Sequence, residues 1–300
     1  MAFQLKIADL SQHDYLKVLV WGDQGTGKTR FGTTFPGPIL AVDVGEKGYI
    51  AFKKEAKAGK LDVTEIEDFQ QLLDTFLYLR DHETKYKTVI LDSMTGLSNM
   101  AIMSFLESKG KKISLETAKK WGSLTQNDYG EIANKVKPLI NTIKELEMNV
   151  VFTAHSKSVV KERESKKDDD LEVSIEGDGI DSDLLEEIEA IKAGKKDMKA
   201  LVDLKSIPIY VPNISKSVGQ TLMAGVDYIF HTFIDATGRD PIYGIHVGPN
   251  PYFLTKARLA EGIKAPAFIA DPTYAKVRAM VDGDEVEPKE VKTETKKGTK

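Results

Sequence analysis

Gly22–Thr29 reads GDQGTGKT, a G-x-x-x-x-G-K-T spacing that follows an apolar run and precedes a helical pattern. Those residue types suit one chemistry. The glycines allow a tight turn that points backbone N–H groups at a phosphate chain. The following helix start adds partial positive charge. Gly22, Asp23, Gln24, Gly25, Thr26, Gly27, Lys28, Thr29 and Arg30 are thus the expected cradle for ATP. The Lys28 ammonium is expected on the β- and γ-phosphates and the Thr29 hydroxyl on Mg²⁺. A glycine-rich turn formed by chance is the plainer alternative, and the flanking strand and helix patterns argue against it.

Magnesium needs a second hard ligand. Asp92 closes the apolar run TVILD and is followed by Ser93. A carboxylate at the end of a parallel strand sits at the sheet edge where ligands bind. Asp92 is therefore the expected metal partner of Thr29, unless it serves as the N-cap of the next helix. The five histidines are scattered and cysteine is absent. This composition excludes disulfides, cysteine-based zinc sites and thiol nucleophiles, and gives no sign of a histidine metal site.

Positioning such groups requires strands that end together. Leu16–Trp21, Ile39–Asp43, Leu61–Ile66, Thr88–Asp92 and Asn149–Thr153 are short apolar runs. Helical patterns at Lys28–Phe35, Phe69–Arg80, Gly96–Ser108 and Tyr129–Glu147 separate them. The alternation predicts an α/β fold, a mostly parallel sheet flanked by helices on both faces. Val226–Ile234 and Pro241–His246, with a turn near Thr237–Gly238, predict antiparallel edge strands. The chain has 300 residues, 41% hydrophobic and 29% charged, enough to bury a core without crosslinks. No apolar stretch reaches the roughly 20 residues that cross a bilayer. The charged N-terminal residues do not read as a signal peptide, so a cytoplasmic location is expected. Net charge is −4, yet Lys161–Ala190 holds four basic and thirteen acidic residues, a net of −9 that leaves +5 for the rest. An acidic insertion is expected over about residues 157–206, with a disordered charged tail at 283–300.

The phosphate loop, VILDSMTGL at Val89–Leu97 and NVVFTAHSK at Asn149–Lys157 together resemble the RecA/RadA core ATPases. The more specific likeness is to phage-encoded single-strand-annealing recombinases built on that core. It covers roughly Lys17–Thr153 and Pro212–Met280 and omits the acidic segment. The resemblance implies a RecA-like P-loop NTPase domain over residues 1–282 and an ATPase stimulated by single-stranded DNA, in phage recombination, annealing or repair. It also implies a homo-oligomer, ring or filament, in the host cytoplasm, with a single-strand-binding protein as a further partner. By that resemblance Glu46, separated from Asp43 by Val44 and Gly45, orients the attacking water. Asp43 is the reserve, and a solvated turn carboxylate is the plainer reading of Glu46. His155 takes the γ-phosphate sensor position, with Thr153 and Ser156 as alternatives. Lys256 and Arg258, in FLTKARLA, take the place of a finger that reaches a neighbouring subunit's nucleotide. Lys111, Lys112, Lys119, Lys120 and Trp121 fall where a DNA-facing loop lies, although a solvated lysine-rich helix end with Trp121 in the core fits the same residues. The acidic stretch beyond His155 departs from the family and would repel DNA.

Three other functions share parts of this pattern: a ring-forming helicase-type motor core, a non-hydrolysing nucleotide switch and a small-molecule kinase. A kinase lid clamps phosphates with several arginines, whereas the segment after His155 is acidic and has one, Arg163.

Overall fold

The computed structural model describes residues 15–110, 124–162, 206–237 and 240–284. Its centre is β1 (Lys17–Gly22), buried along its whole length. On one side of β1 lie β5 (Asn149–Glu162), β4 (Thr88–Asp92), β2 (Ile39–Asp43) and β3 (Leu61–Glu65), all in parallel pairing. On the other side β7 (Tyr228–Asp235) pairs parallel with β1. Beyond it β8 (Ile242–His246) and β10 (Phe268–Ala270) are antiparallel, and β9 (Lys256–Ala257) pairs with β7. This is the expected fold class, a mostly parallel sheet with antiparallel edge strands.

Both faces of the sheet are covered, so β1 alternates between two cores. Leu19 and Trp21 join α3 (Phe69–Asp81), α4 (Met94–Ser108), α5 (Gln126–Glu145) and α6 (Lys216–Gly225) through Phe76, Leu97, Leu139 and Leu222. Val18 and Val20 face α1 (Lys28–Gly32) and α7 (Tyr274–Asp282) through Phe31, Val277 and Met280. Burying each such side chain is worth about 1.5–3 kcal/mol. A short α2 (Lys53–Lys57) and a 3-10 turn at Gly48–Phe52 complete the elements around the β2 end.

Ile39–Asp43 and Thr88–Asp92 are strands at the expected bounds. The largest difference is β5, expected to stop at Thr153. Its residues Ser156–Glu162 leave the main sheet and pair antiparallel with β6 (Ser206–Pro212). The first residues of the expected insertion therefore form one arm of a hairpin, and residues 163–205 lie outside the described residues. The expected tail lies outside them too, apart from Gly283 and Asp284; Gly283 caps α7 with φ 86°. The first helix ends at Gly32, short of the expected Phe35.

Two lysines, Lys17 buried and Lys256 half-buried, hold helix ends. The Lys17 ammonium donates to the Leu146 and Met148 carbonyls beyond α5, at 2.5 and 2.6 Å. That of Lys256 donates to Met223 and Val226 at the end of α6, at 2.8 and 2.6 Å. Each satisfies carbonyls that a helix terminus leaves without partners.

Candidate nucleotide site

The loop between β1 and α1 needs its glycines. Gly25 and Gly27 have φ of 78° and 92°, a region that side chains rarely enter. Gly22 is crowded as well: a Cβ there would lie 2.2 Å from Thr232 Oγ1 on β7. Thr232 hydrogen-bonds to Thr26 at 2.6 Å and to the Trp21 carbonyl at 3.2 Å, tying the loop to the sheet. The Thr26 hydroxyl also bonds within the loop, to the Asp23 carbonyl at 2.7 Å. The Lys28 ammonium is gathered over the loop, donating to the Gly22 and Asp23 carbonyls at 2.9 and 2.6 Å. Burial pushes its pKa down, while Asp92, Asp23 and Glu46 act in the opposite direction.

The parallel strands bring the acidic groups to the same edge. Asp43 and Asp92 are register partners at the ends of β2 and β4. Thr29 donates to Asp92 Oδ2 at 3.0 Å, and Thr153 donates to Asp92 Oδ1 at 2.5 Å. A hydroxyl and a carboxylate this close are the hard oxygen donors that magnesium takes alongside phosphate oxygens, so the residues fit the ion. Asp92 is not the helix cap. Ser93 is, its hydroxyl accepting from Gly96 N–H at 3.1 Å, and the Asp92–Ser93 peptide is cis.

Glu46 is held by neighbouring side chains although the residue remains exposed. Ser93 donates to Glu46 Oε1 at 2.6 Å, and His155 Nε2 lies 3.0 Å from both carboxylate oxygens. Burial acts to raise its pKa, but the hydrogen bonds from Ser93 and His155 and the charges of His155 and Lys28 prevail and hold it below the ordinary value. Asp43, the reserve, lies beneath the turn that carries Glu46. One of its oxygens accepts from the Glu46 and Lys47 N–H groups, both at 3.1 Å, which shapes the turn that presents Glu46. Burial pushes the Asp43 pKa up, and its other oxygen is buried without a partner among the described residues. Ser156 donates to the Asp23 carboxylate, linking β5 to the loop. His155 itself is held by its backbone: its N–H donates to Thr95 Oγ1 at 3.2 Å and its carbonyl accepts from Asn213 N–H at 2.7 Å.

The structure thus brings together Lys28, Thr29, Asp92, Glu46 and His155. It does not bring Lys256 or Arg258 to them. Lys256 is engaged at the end of α6, and Arg258 pairs with Asp227 at 3.0 Å. Lys111, Lys112, Lys119, Lys120 and Trp121 lie outside the described residues. Sequence reasoning missed Ser93 as a partner of Glu46, although the Asp–Ser ending of the strand was in view. It also missed Thr232, whose partner Thr26 is 206 positions away.

No curated protein matches the chain. Among solved structures, a KaiC-like protein, PH0186, from Pyrococcus horikoshii OT3 is 11% identical, covers 86% of this chain and 89% of its own, and has a TM-score of 0.40. The flagellar accessory protein FlaH of Methanocaldococcus jannaschii is 11% identical over 91% of this chain and 89% of its own, with a TM-score of 0.36. The family model for the AAA domain matches residues 14–191, more than half of the chain. That span holds the phosphate loop, Asp92, Glu46 and His155, and with it the chain belongs to the AAA domain family of P-loop ATPases.

Proposed function

We propose that this chain hydrolyses ATP and acts on single-stranded DNA in recombination, annealing or repair, as a homo-oligomer. One observation carries the catalytic half. The Glu46 carboxylate is held by Ser93 and His155 beside the Thr29–Asp92 pair, while Lys28 covers the loop. Such a carboxylate can take a proton from water as the resulting hydroxide attacks the γ-phosphorus and ADP leaves. Ser93 and His155 aim it, and its lowered pKa keeps it charged and ready to accept. Lys28 neutralises charge on the phosphates. Bound magnesium, held by Thr29 and Asp92, would supply further charge neutralisation on the phosphate oxygens.

The DNA half rests on the RecA/RadA resemblance and on the lysines between α4 and α5. The path of β5 gives a physical link between such binding and the site. This strand carries His155 beside Glu46 and continues as one arm of the hairpin with β6. A ligand that moves the hairpin would therefore move the histidine that orients the base.

ATP turnover measured with and without single-stranded DNA tests both halves. Lys28→Ala is expected to abolish turnover. Glu46→Gln is expected to lower kcat by about 10²–10⁴ while ATP still binds. Tight binding without turnover would make the chain a nucleotide switch. Turnover that requires a small acceptor would make it a kinase, and turnover indifferent to DNA would remove the DNA half.

A further inference from the structure

The two flanks of the phosphate loop differ. Asp92, Glu46 and His155 all come from the β5–β4–β2 side of β1. On the other side, β8 places Tyr243 against the loop: a Cβ on Gly27 would lie 3.3 Å from Tyr243 Cδ1. The ring is only partly buried, and the Arg30 guanidinium lies 5.7 Å from its centroid. The ring's strand is anchored at that point, because the Tyr243 carbonyl accepts from Asp271 N–H at 2.7 Å.

A triphosphate in the loop has a direction. If the acidic groups and Thr29 mark the γ end, the nucleoside must leave towards the opposite flank, where an aromatic face and a cation stand together. We infer that Tyr243 is the stacking surface for the base of a bound nucleoside triphosphate, with Arg30 as the cation beside its phosphates. An aromatic face attracts any base, because every base has a π-face, and it reads no hydrogen-bond pattern. The inference rests on the nucleotide reading of the loop.

The test uses two probes, ATP and inorganic tripolyphosphate, each with magnesium, in calorimetric titrations of the full chain. In Tyr243→Ala, ATP affinity is expected to fall about tenfold or more, as loss of a stacked base implies. Tripolyphosphate, which has no base, should bind as tightly as to the parent chain and so also reports that the loop is intact. Tyr243→Trp should retain ATP affinity. Unchanged ATP affinity in Tyr243→Ala would overturn the inference, and so would an equal loss for both probes, since that makes Tyr243 a support for the loop. Failure of the parent chain to bind either probe would instead overturn the nucleotide reading itself, and Lys28→Ala, expected to weaken both, monitors that case.

Discussion

His231 sits directly behind the phosphate loop, and its burial makes acid stability a sharp test of the packing. It is 7% exposed and lies between aromatic rings. Phe253 is stacked on it at 3.9 Å, Trp21 lies at 4.5 Å and His246 at 5.5 Å. Its Nδ1 is buried without a partner among the described residues. Burial, reinforced by His246 and Lys28 and opposed by Asp23, lowers its pKa from 6.5 to about 4. Between those two pH values the unfolded chain binds a proton that the folded chain refuses. Stability must therefore fall as the pH is lowered through that window. At about 1.4 kcal/mol per unit, the full window is worth about 3 kcal/mol. His231→Phe keeps the ring stack and removes the titrating group. Urea unfolding of both chains at pH 7, 5.5 and 4.5 isolates the effect of His231 and its coupling to His246, because groups that do not interact with His231 cancel in the difference. The variant should gain on the parent by up to about 3 kcal/mol on going from pH 7 towards pH 4. Parallel pH profiles would refute the argument and show that His231 accepts its proton in the fold.

Other expectations follow from contacts at the site and in the frame. Burial lowers the Lys17 pKa to about 8, against Asp227, which raises it. The unfolded chain then holds more protons between about pH 8 and 10.5, so stability should climb by up to about 3 kcal/mol across that range. Lys17→Met should flatten that slope in the same unfolding assay. A Cβ on Gly96 would lie 1.9 Å from the Val44 carbonyl oxygen, so Gly96→Ala should push α4 off the sheet. A cost of about 1–3 kcal/mol is expected, seen as a Tm lowered by several degrees, together with slower ATP turnover because Ser93 moves with the helix. Lys256→Met removes two hydrogen bonds at the end of α6 and should lower unfolding stability by about 1–3 kcal/mol. Unchanged stability with lost turnover would instead mark Lys256 as a group acting on a neighbouring subunit's nucleotide.

What the sequence determined by itself was local. The spacing of Gly22–Thr29 dictates a backbone turn, and β-branched runs such as TVILD dictate buried parallel strands. Strands of that kind end at a common edge, which is why Thr29 and Asp92 are 3.0 Å apart although 63 positions separate them. Elements with weaker local signals were not legible. β6 and α6 follow the acidic stretch, and β10 is three residues long, too short for any periodicity to show. The tertiary structure decided what the polar groups do. Glu46 and His155 lie 109 positions apart and meet only because β2 and β5 both flank β4 and His155 sits where β5 leaves the main sheet. Composition does not say where the Glu46 carboxylate lies; the Asp43-shaped turn and the Ser93 hydroxyl hold it against His155 while the residue stays exposed. Lys256 shows the converse, a cation whose sequence context suggested a reach to another subunit and whose ammonium the fold commits to the carbonyls of α6. Spacing along a chain fixes the backbone dihedrals of neighbours. Which side chains share a charge or a proton depends on strand order and register, which follow from how the whole sheet buries its two faces.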